Sequence, residues 1–196
     1  VFKATGPTVS SSMDVKIGMT KDGIITAGEA HLRYQGGAFP NGTVEMGAQS
    51  AFAAYDLKAV RTKGWNVLTN RPKQAAYRAP GAPQAIYAVE SVVDELCQKL
   101  NLDPLEIRIK NAAKKGTKSS YGPTFDDIGL IATLEAAKKH PHYLAPLAEN
   151  QGRGLSCGFW FNFGGDTCVT LNVNFDGTIG VTEGNPDIGG SRASIS

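Results

Sequence analysis

Two Asp-Gly dipeptides set the frame for this chain. Asp22-Gly23 and Asp176-Gly177 each sit between stretches in which apolar and polar residues alternate. Val15, Ile17 and Met19 alternate with Lys16, Gly18 and Thr20 before the first pair, and Ile24 to Tyr34 follows it. Val169, Leu171 and Val173 alternate with Thr170, Asn172 and Asn174 before the second, and Thr178 to Thr182 follows. A period of two marks a half-buried strand, and glycine accepts the positive φ that a tight hairpin turn demands. Each dipeptide therefore predicts an antiparallel hairpin. Gly36-Gly37 through Gly42 breaks the first return strand.

Between the hairpins the period changes. Ile86, Val89, Val92, Val93, Leu96 and Leu100 recur at helical spacing, with Pro83 in the first turn. Glu90, Asp94 and Glu95 read as the solvent side of that helix. Asp103-Pro104 supplies an N-cap and a first-turn proline for a second helix, read as Leu105 to Lys115 and stopped by Gly116. The Ser/Lys-rich stretch Thr117 to Gly122 reads as a mobile loop, and Phe125 to Lys139 as a third helix ending before Pro141. Residues 43–60 support two readings: Ala51 to Tyr55 helical, and Leu57 to Thr62 extended. Gly64 to Thr69 and the aromatic run Leu155 to Phe163 read as strands. Strand blocks flanking a helical block predict an α+β fold of antiparallel hairpins around helices, not a wound βαβ series.

Composition narrows the function. A length of 196 residues allows one ordinary domain or two small lobes. Net charge is only +2, and no Lys/Arg run exceeds a pair such as Lys114-Lys115, so no nucleic-acid partner is expected. No apolar run is long enough to span a bilayer, and no membrane partner is expected. Cys97, Cys157 and Cys168 show no C-x-x-C spacing, which argues against a disulfide framework, zinc or an iron–sulfur cluster in this chain and fits a cytoplasmic setting. His140-Pro141-His142 reads as a cap cluster at a helix end, and His31 as a packed or surface residue. Trp160, Phe159, Phe161 and Phe163 read as core or interface aromatics. No G-x-S-x-G elbow is present, which counts against a hydrolase. The chain begins Val1-Phe2-Lys3 without Met, as a processed chain, a fragment or an excised piece would. The 23 glycines and 10 prolines fall in clusters, which suggests many tight turns or close approach of backbone to a ligand.

One segment carries more specific information. Ala76-Tyr77-Arg78-Ala79-Pro80-Gly81-Ala82-Pro83-Gln84 leads into Glu90-Ser91-Val92-Val93-Asp94-Glu95-Leu96, followed by Leu102-Asp103-Pro104-Leu105-Glu106-Ile107-Arg108-Ile109-Lys110-Asn111-Ala112. In order and spacing these resemble tandem motifs in the molybdopterin-binding large subunit of the xanthine dehydrogenase/aldehyde oxidase family of molybdenum hydroxylases. The tail Pro186-Asp187-Ile188-Gly189-Gly190-Ser191-Arg192-Ala193-Ser194 occupies the place of that family's Gly-Gln-Gly cofactor loop. The first hairpin fits as the stretch after its Gly-Gly-Lys loop, so the resemblance covers essentially the whole chain.

The resemblance implies an oxidoreductase subunit that hydroxylates an aldehyde or N-heteroaromatic substrate on a molybdenum–molybdopterin cofactor. Iron–sulfur clusters and FAD would lie on other domains or subunits. The expected partners are those subunits, the remaining part of the molybdenum subunit, and a small-molecule substrate. The chain divides accordingly into a β-rich part (1–75), a loop with helices (76–150), and a hairpin with a truncated cofactor loop (151–196). Cofactor-binding residues carried over are Tyr77, Arg78, Ala79, Gly81, Gly189, Gly190, Ser191 and Arg192. The protein supplies no direct metal ligand. The family's catalytic Glu would lie beyond Ser196 and its Gly-Gly-Lys loop before Val1, so no catalytic residue is assigned and the chain alone is expected to be inactive. Gly190 stands where many members carry Gln. Pro80 replaces a substrate-stacking aromatic, and Met46 a substrate-binding Arg, of xanthine-type enzymes, which argues against a purine. The alternative is a non-catalytic ligand-binding or assembly module with the same fold. Because two loops must meet one ligand, Tyr77–Gly81 and Gly189–Arg192 are expected on one rim.

Overall fold

The computed structural model describes residues 6–40, 42–161, 166–184 and 189. The chain forms two compact units, Val1–Trp160 and Phe161–Ser196.

The first unit is built on a three-stranded sheet. Strands β1 (Ser11–Met19) and β2 (Ile25–Gly37) pair antiparallel around the Asp22-Gly23 turn, with Gly23 at φ +83°. Strand β3 (Ala59–Leu68) then pairs parallel to β2, giving the order β1-β2-β3. Helix α1 (Val44–Ser50) lies in the connection between β2 and β3. This parallel pair comes in addition to the expected antiparallel hairpins, since strand pairing across a helical connection leaves no local turn signal. The ambiguous segment resolves differently too. The helix precedes Ala51, residues 51–54 are turns, and the two short extended stretches form one strand.

One face of the sheet is the core. Ala30, Leu32 and Tyr34 are fully buried on β2, while Glu29 and His31 are half-buried and Arg33 exposed. The Phe52 ring packs directly on Gly28, where a Cβ would meet ring carbons at 2.7–3.0 Å. Burying a ring of this size contributes about 1.5–3 kcal/mol, so the missing side chain at Gly28 has a packing purpose.

Helix α2 (Ala82–Leu100) covers the sheet and α3 (Pro104–Asn111) packs beside it. The Asp103 carboxylate accepts from Leu105 N at 2.8 Å and Glu106 N at 2.9 Å, the N-cap that the sequence predicts. Helix α3 ends at Asn111, four residues short of the expected Lys115. The Asn111 side chain is committed elsewhere: it donates to Gly23 O and accepts from Ile25 N, both at 2.8 Å, which ties α3 to the first hairpin turn. Ala113 N then donates to Ala54 O at 2.9 Å, drawing the chain out of the helix.

The segment expected to be a mobile loop is folded. Lys118 bridges Thr124, Phe125 N donates to Thr117 O at 3.0 Å, and Thr117 and Ser119 are buried. Holding Phe125 there delays the third helix, so α4 spans Leu130–Lys139. A short α5 (Pro141–Leu144) follows, capped by His140 Nδ1 accepting from His142 N at 3.1 Å. Residues 155–161 carry no strand; Cys157 N instead donates to a side chain of α2. Residues 162 and 163 of that expected strand lie outside the described residues. No described helix is long and apolar enough to cross a membrane.

The second unit contains β4 (Val169–Val173) and β5 (Ile179–Glu183), antiparallel around Asp176-Gly177. The Asp176 carboxylate accepts from Thr178 N at 3.0 Å and Thr178 Oγ1 at 2.7 Å, and Gly177 has φ +83°. Both Asp-Gly turns therefore close the hairpins that the alternation predicts.

Candidate functional site

Strands β2 and β3 run parallel, so their C-terminal ends open on the same end of the sheet. Ligands of open sheets with helical crossovers gather at such ends. Here the strand ends are tied to the proline-rich loop that follows β3. Thr69 N donates to Gly37 O at 2.9 Å, Ala38 N to Arg71 O at 2.9 Å, and Gln74 N to Gly36 O at 3.3 Å.

The loop from Tyr77 to Gly81 is locked from beneath. Tyr34, fully buried at the end of β2, donates its hydroxyl to Gly81 O at 2.9 Å. Burial, reinforced by the nearby Tyr77 phenol, pushes the Tyr34 hydroxyl well above the usual tyrosine range, so it stays protonated and available as a donor. Gly81 adopts φ +83°, and a Cβ there would lie 2.0 Å from Thr43 O. Gly47 is equally constrained, since its Cβ would sit 2.7 Å from Gly81 O. Glycine at these two positions lets α1, the loop and the start of α2 meet backbone to backbone. Ala79 carries a left-handed φ of +57° without being glycine, a strain held in place by the bond from Ala82 N to Ala79 O at 3.1 Å. Tyr77 and Arg78 are exposed at the crest, and the Tyr77 hydroxyl accepts from Gln84 Nε2 on the first turn of α2.

Among the described residues, buried polar atoms without protein partners occur on the elements named above and also on Ser119, Ser120 and Arg153. Gln35 Nε2, Thr69 Oγ1 and Gln84 Oε1 are all buried and unbonded. They follow, respectively, Tyr34 in β2, the last residue of β3, and Pro83 in α2. Buried polar groups ordinarily find a partner, so each of these atoms is open to a hydrogen-bonding ligand group; Gln35 follows core-facing Tyr34 and so points to the other face of the sheet, which leaves Gln84 Oε1 as the one in the helix turn that follows the loop. The loop has the matching features: exposed side chains at its crest and a backbone fixed in one conformation.

The structure thus brings Tyr77, Arg78, Ala79 and Gly81 together in one loop. Gly189 is exposed with φ +133° and belongs to the second unit, while Gly190, Ser191 and Arg192 lie outside the described residues. The expected proximity of the two loops therefore lies outside what is described. Sequence reasoning did not find Tyr34, Gln35, Thr69 or the Gln84–Tyr77 bond. The only available signal was the Tyr34-Gln35-Gly36-Gly37 run at a strand end.

Helix α2, whose first turn frames the loop, is anchored by a buried network that also escaped the sequence. Arg108 is fully buried on α3 and donates through Nε to Glu90 Oε2 and through Nη2 to Asp94 Oδ1, each at 2.8 Å. Glu90 also accepts from the Tyr55 hydroxyl and from Cys157 N at 2.7 Å. Glu90 is thus buried at 5% exposure, not on the solvent side as its place beside Asp94 and Glu95 had implied. Burial alone would lower the Arg108 pKa, but the Glu90 carboxylate outweighs it and the guanidinium is held more firmly charged. Burial pushes the Cys157 thiol up to about 11, with Glu90 adding to the shift. The readable signal was Glu90 and Asp94, one helical turn apart beside apolar Val89 and Val93. Among the described residues no group of three or more His, Cys, Asp or Glu is placed to hold a metal ion.

Comparison with known proteins completes the picture. Residues 1–112 match the family described as Molybdopterin cofactor-binding domain. Aldehyde oxidoreductase of Megalodesulfovibrio gigas is 32% identical over 192 residues, covering 90% of this chain and 21% of its own length. The xanthine dehydrogenase molybdenum-binding subunit of Escherichia coli O157:H7 is 28% identical over 208 residues, 96% of this chain and 27% of its own length. The solved aldehyde oxidoreductase from Desulfovibrio gigas superposes with a TM-score of 0.75 at 30% identity, over 90% of this chain and 21% of that one. The chain thus spans about a fifth to a quarter of these relatives' length.

Proposed function

From its membership of the molybdopterin cofactor-binding family, we propose that this chain forms part of the cofactor cradle in the large subunit of a molybdenum hydroxylase. The loop Tyr77–Gly81 would hold the cofactor, and the family resemblance alone assigns Gly189, Gly190, Ser191 and Arg192 as further cofactor-binding residues. The observation that carries the reading is the loop itself. It is bonded to the end of β2 through Tyr34 and packed against Thr43 and Gly47, and the unpartnered Gln84 amide oxygen lies in the helix turn that follows it. A pterin presents ring N–H donors, which an unpartnered amide oxygen next to the loop fits. The exposed Arg78 adds positive charge suited to an anionic group.

The bound molybdenum–pterin group would supply the redox chemistry of C–H hydroxylation. This chain's residues position it: the Gly81 and Ala79 backbone gives close approach, and Pro80 and Pro83 stiffen the loop, so little ordering is left to the moment of binding. Pro80 and Met46, where xanthine-type members carry a stacking aromatic and an arginine, favour an aldehyde or a non-purine heteroaromatic substrate. Iron–sulfur clusters and FAD on other domains or subunits would carry the electrons away. Three unpaired thiols suit a cytoplasmic setting. The test is the molybdenum and pterin content of the purified full-length polypeptide that carries these residues. Near-stoichiometric pterin is expected, and its absence from correctly folded protein would overturn the reading.

A further inference from the structure

We propose that Gln84 is itself a cofactor-contacting side chain, offering a fixed amide oxygen to a hydrogen-bond donor on the pterin. This rests on the functional reading above and adds a residue to it. Gln84 lies in the first turn of α2, three positions after the glycine that ends the loop. Its Nε2 donates to the Tyr77 hydroxyl, which fixes the orientation of the amide. Its Oε1 is buried and has no protein partner. A side chain needed only to fill this volume would do so better as Met or Leu, without a buried acceptor to satisfy.

The surroundings support a ligand as the missing partner. The loop that Gln84 closes is fixed at Gly81 by the fully buried Tyr34, so the amide is attached to a rigid frame. Two other unpartnered atoms, Gln35 Nε2 and Thr69 Oγ1, occupy the same end of the sheet, and Gln35 is only 8% exposed. Tyr77 then acts in two ways, as a crest residue of the loop and as the holder of the Gln84 amide.

The test uses the full-length polypeptide. Molybdenum and oxidatively released pterin are measured per polypeptide after gel filtration, with thermal stability alongside. Gln84→Met keeps the length and approximate shape of the side chain; pterin retention is expected to weaken on the order of tenfold while stability is unchanged or raised. Tyr77→Phe removes the hydroxyl that holds the amide and should weaken retention in the same direction, which keeps the proposal testable if Gln84→Met fails to accumulate. Gln98→Met, at the exposed far end of α2, serves as the control and should match wild type. Full pterin retention in both Gln84→Met and Tyr77→Phe would overturn the proposal and assign Gln84 to packing or to bound water. If the wild-type polypeptide itself holds no pterin, the functional reading fails and the role of Gln84 falls with it.

Discussion

Replacing Arg108 with Met is expected to be the most damaging single change to the frame that carries the site. The fully buried Arg108 side chain holds both buried Glu90 and the half-exposed Asp94 side chain, so its removal leaves one carboxylate buried without its counter-charge. Breaking a buried pair from one side costs about 3–5 kcal/mol. The unit concerned comprises Val1–Trp160, and for a unit of this size the loss corresponds to a fall in Tm of roughly 6–20 °C. The same perturbation loosens α2 against α3 and against the segment at Cys157, and α2 is the helix whose first turn frames the loop. Thermal and urea melts of Arg108→Met, Glu90→Met and the double variant form a cycle. The double variant removes the mutually dependent charges and leaves the Tyr55 hydroxyl and Cys157 N without their acceptor, losses already counted in the Glu90 single variant, so it should be less destabilised than the sum of the singles by about 2 kcal/mol or more. Single variants costing less than about 1 kcal/mol, or a strictly additive double, would refute the idea that this pair holds the helices together.

The remaining expectations concern other parts of the chain. Iodoacetamide near pH 8 should label exposed Cys168 and spare buried Cys97 and Cys157, as peptide mass spectrometry would show; rapid labelling of Cys157 in folded protein would contradict its assigned burial. Burial raises the Cys157 thiol from 9.0 to about 11, so its stabilising neutral form is fully present below pH 9 and its contribution is lost as pH climbs towards 11. Urea melts across that window should fall more steeply for wild type than for Cys157→Ala, and equal slopes would count against the shift. Asn111→Ala removes the bonds to Ile25 N, Gly23 O and Ile107 O and should cost about 2–4 kcal/mol, with hydrogen exchange accelerated in the first hairpin; unchanged exchange there would show that Asn111 does not tie the turn to α3. The isolated chain should hold no tightly bound molybdenum and show no hydroxylase activity. Stoichiometric metal by elemental analysis together with aldehyde turnover would contradict that expectation.

What could be read in advance was local. Asp22-Gly23 and Asp176-Gly177 dictate their turns through glycine's φ, and the Asp103-Pro104 pair dictates a helix start through its own hydrogen bonds. Features set by distant partners could not be read. The parallel pairing of β2 with β3 depends on residues separated by α1. Asn111 looks like an ordinary helix residue until its side chain is found on the hairpin turn. Glu90 looks like a solvent-facing carboxylate because nothing near it in sequence announces Arg108 or Tyr55. The same holds at the candidate site. The loop Tyr77–Gly81 was visible as a motif, but its lock by Tyr34 crosses 47 positions, and nothing local marks the Gln84 amide oxygen as left without a partner.

The central claim is that the backbone of this loop, held in one geometry, retains a molybdenum–pterin group, and Gly81→Ala in the full-length polypeptide tests it most directly. Gly81 and Gly177 both adopt φ +83°, but an added Cβ meets Thr43 O at 2.0 Å at Gly81 and nothing within 4 Å at Gly177. Gly177→Ala therefore carries the left-handed strain alone, about 1 kcal/mol, on a hairpin in the other unit. Gly81→Ala carries that strain plus a backbone clash that must move the loop. Molybdenum and pterin per polypeptide should fall sharply in Gly81→Ala and stay near wild type in Gly177→Ala, with both variants keeping a wild-type circular dichroism spectrum. Full molybdenum and pterin content in a folded Gly81→Ala protein would contradict the account.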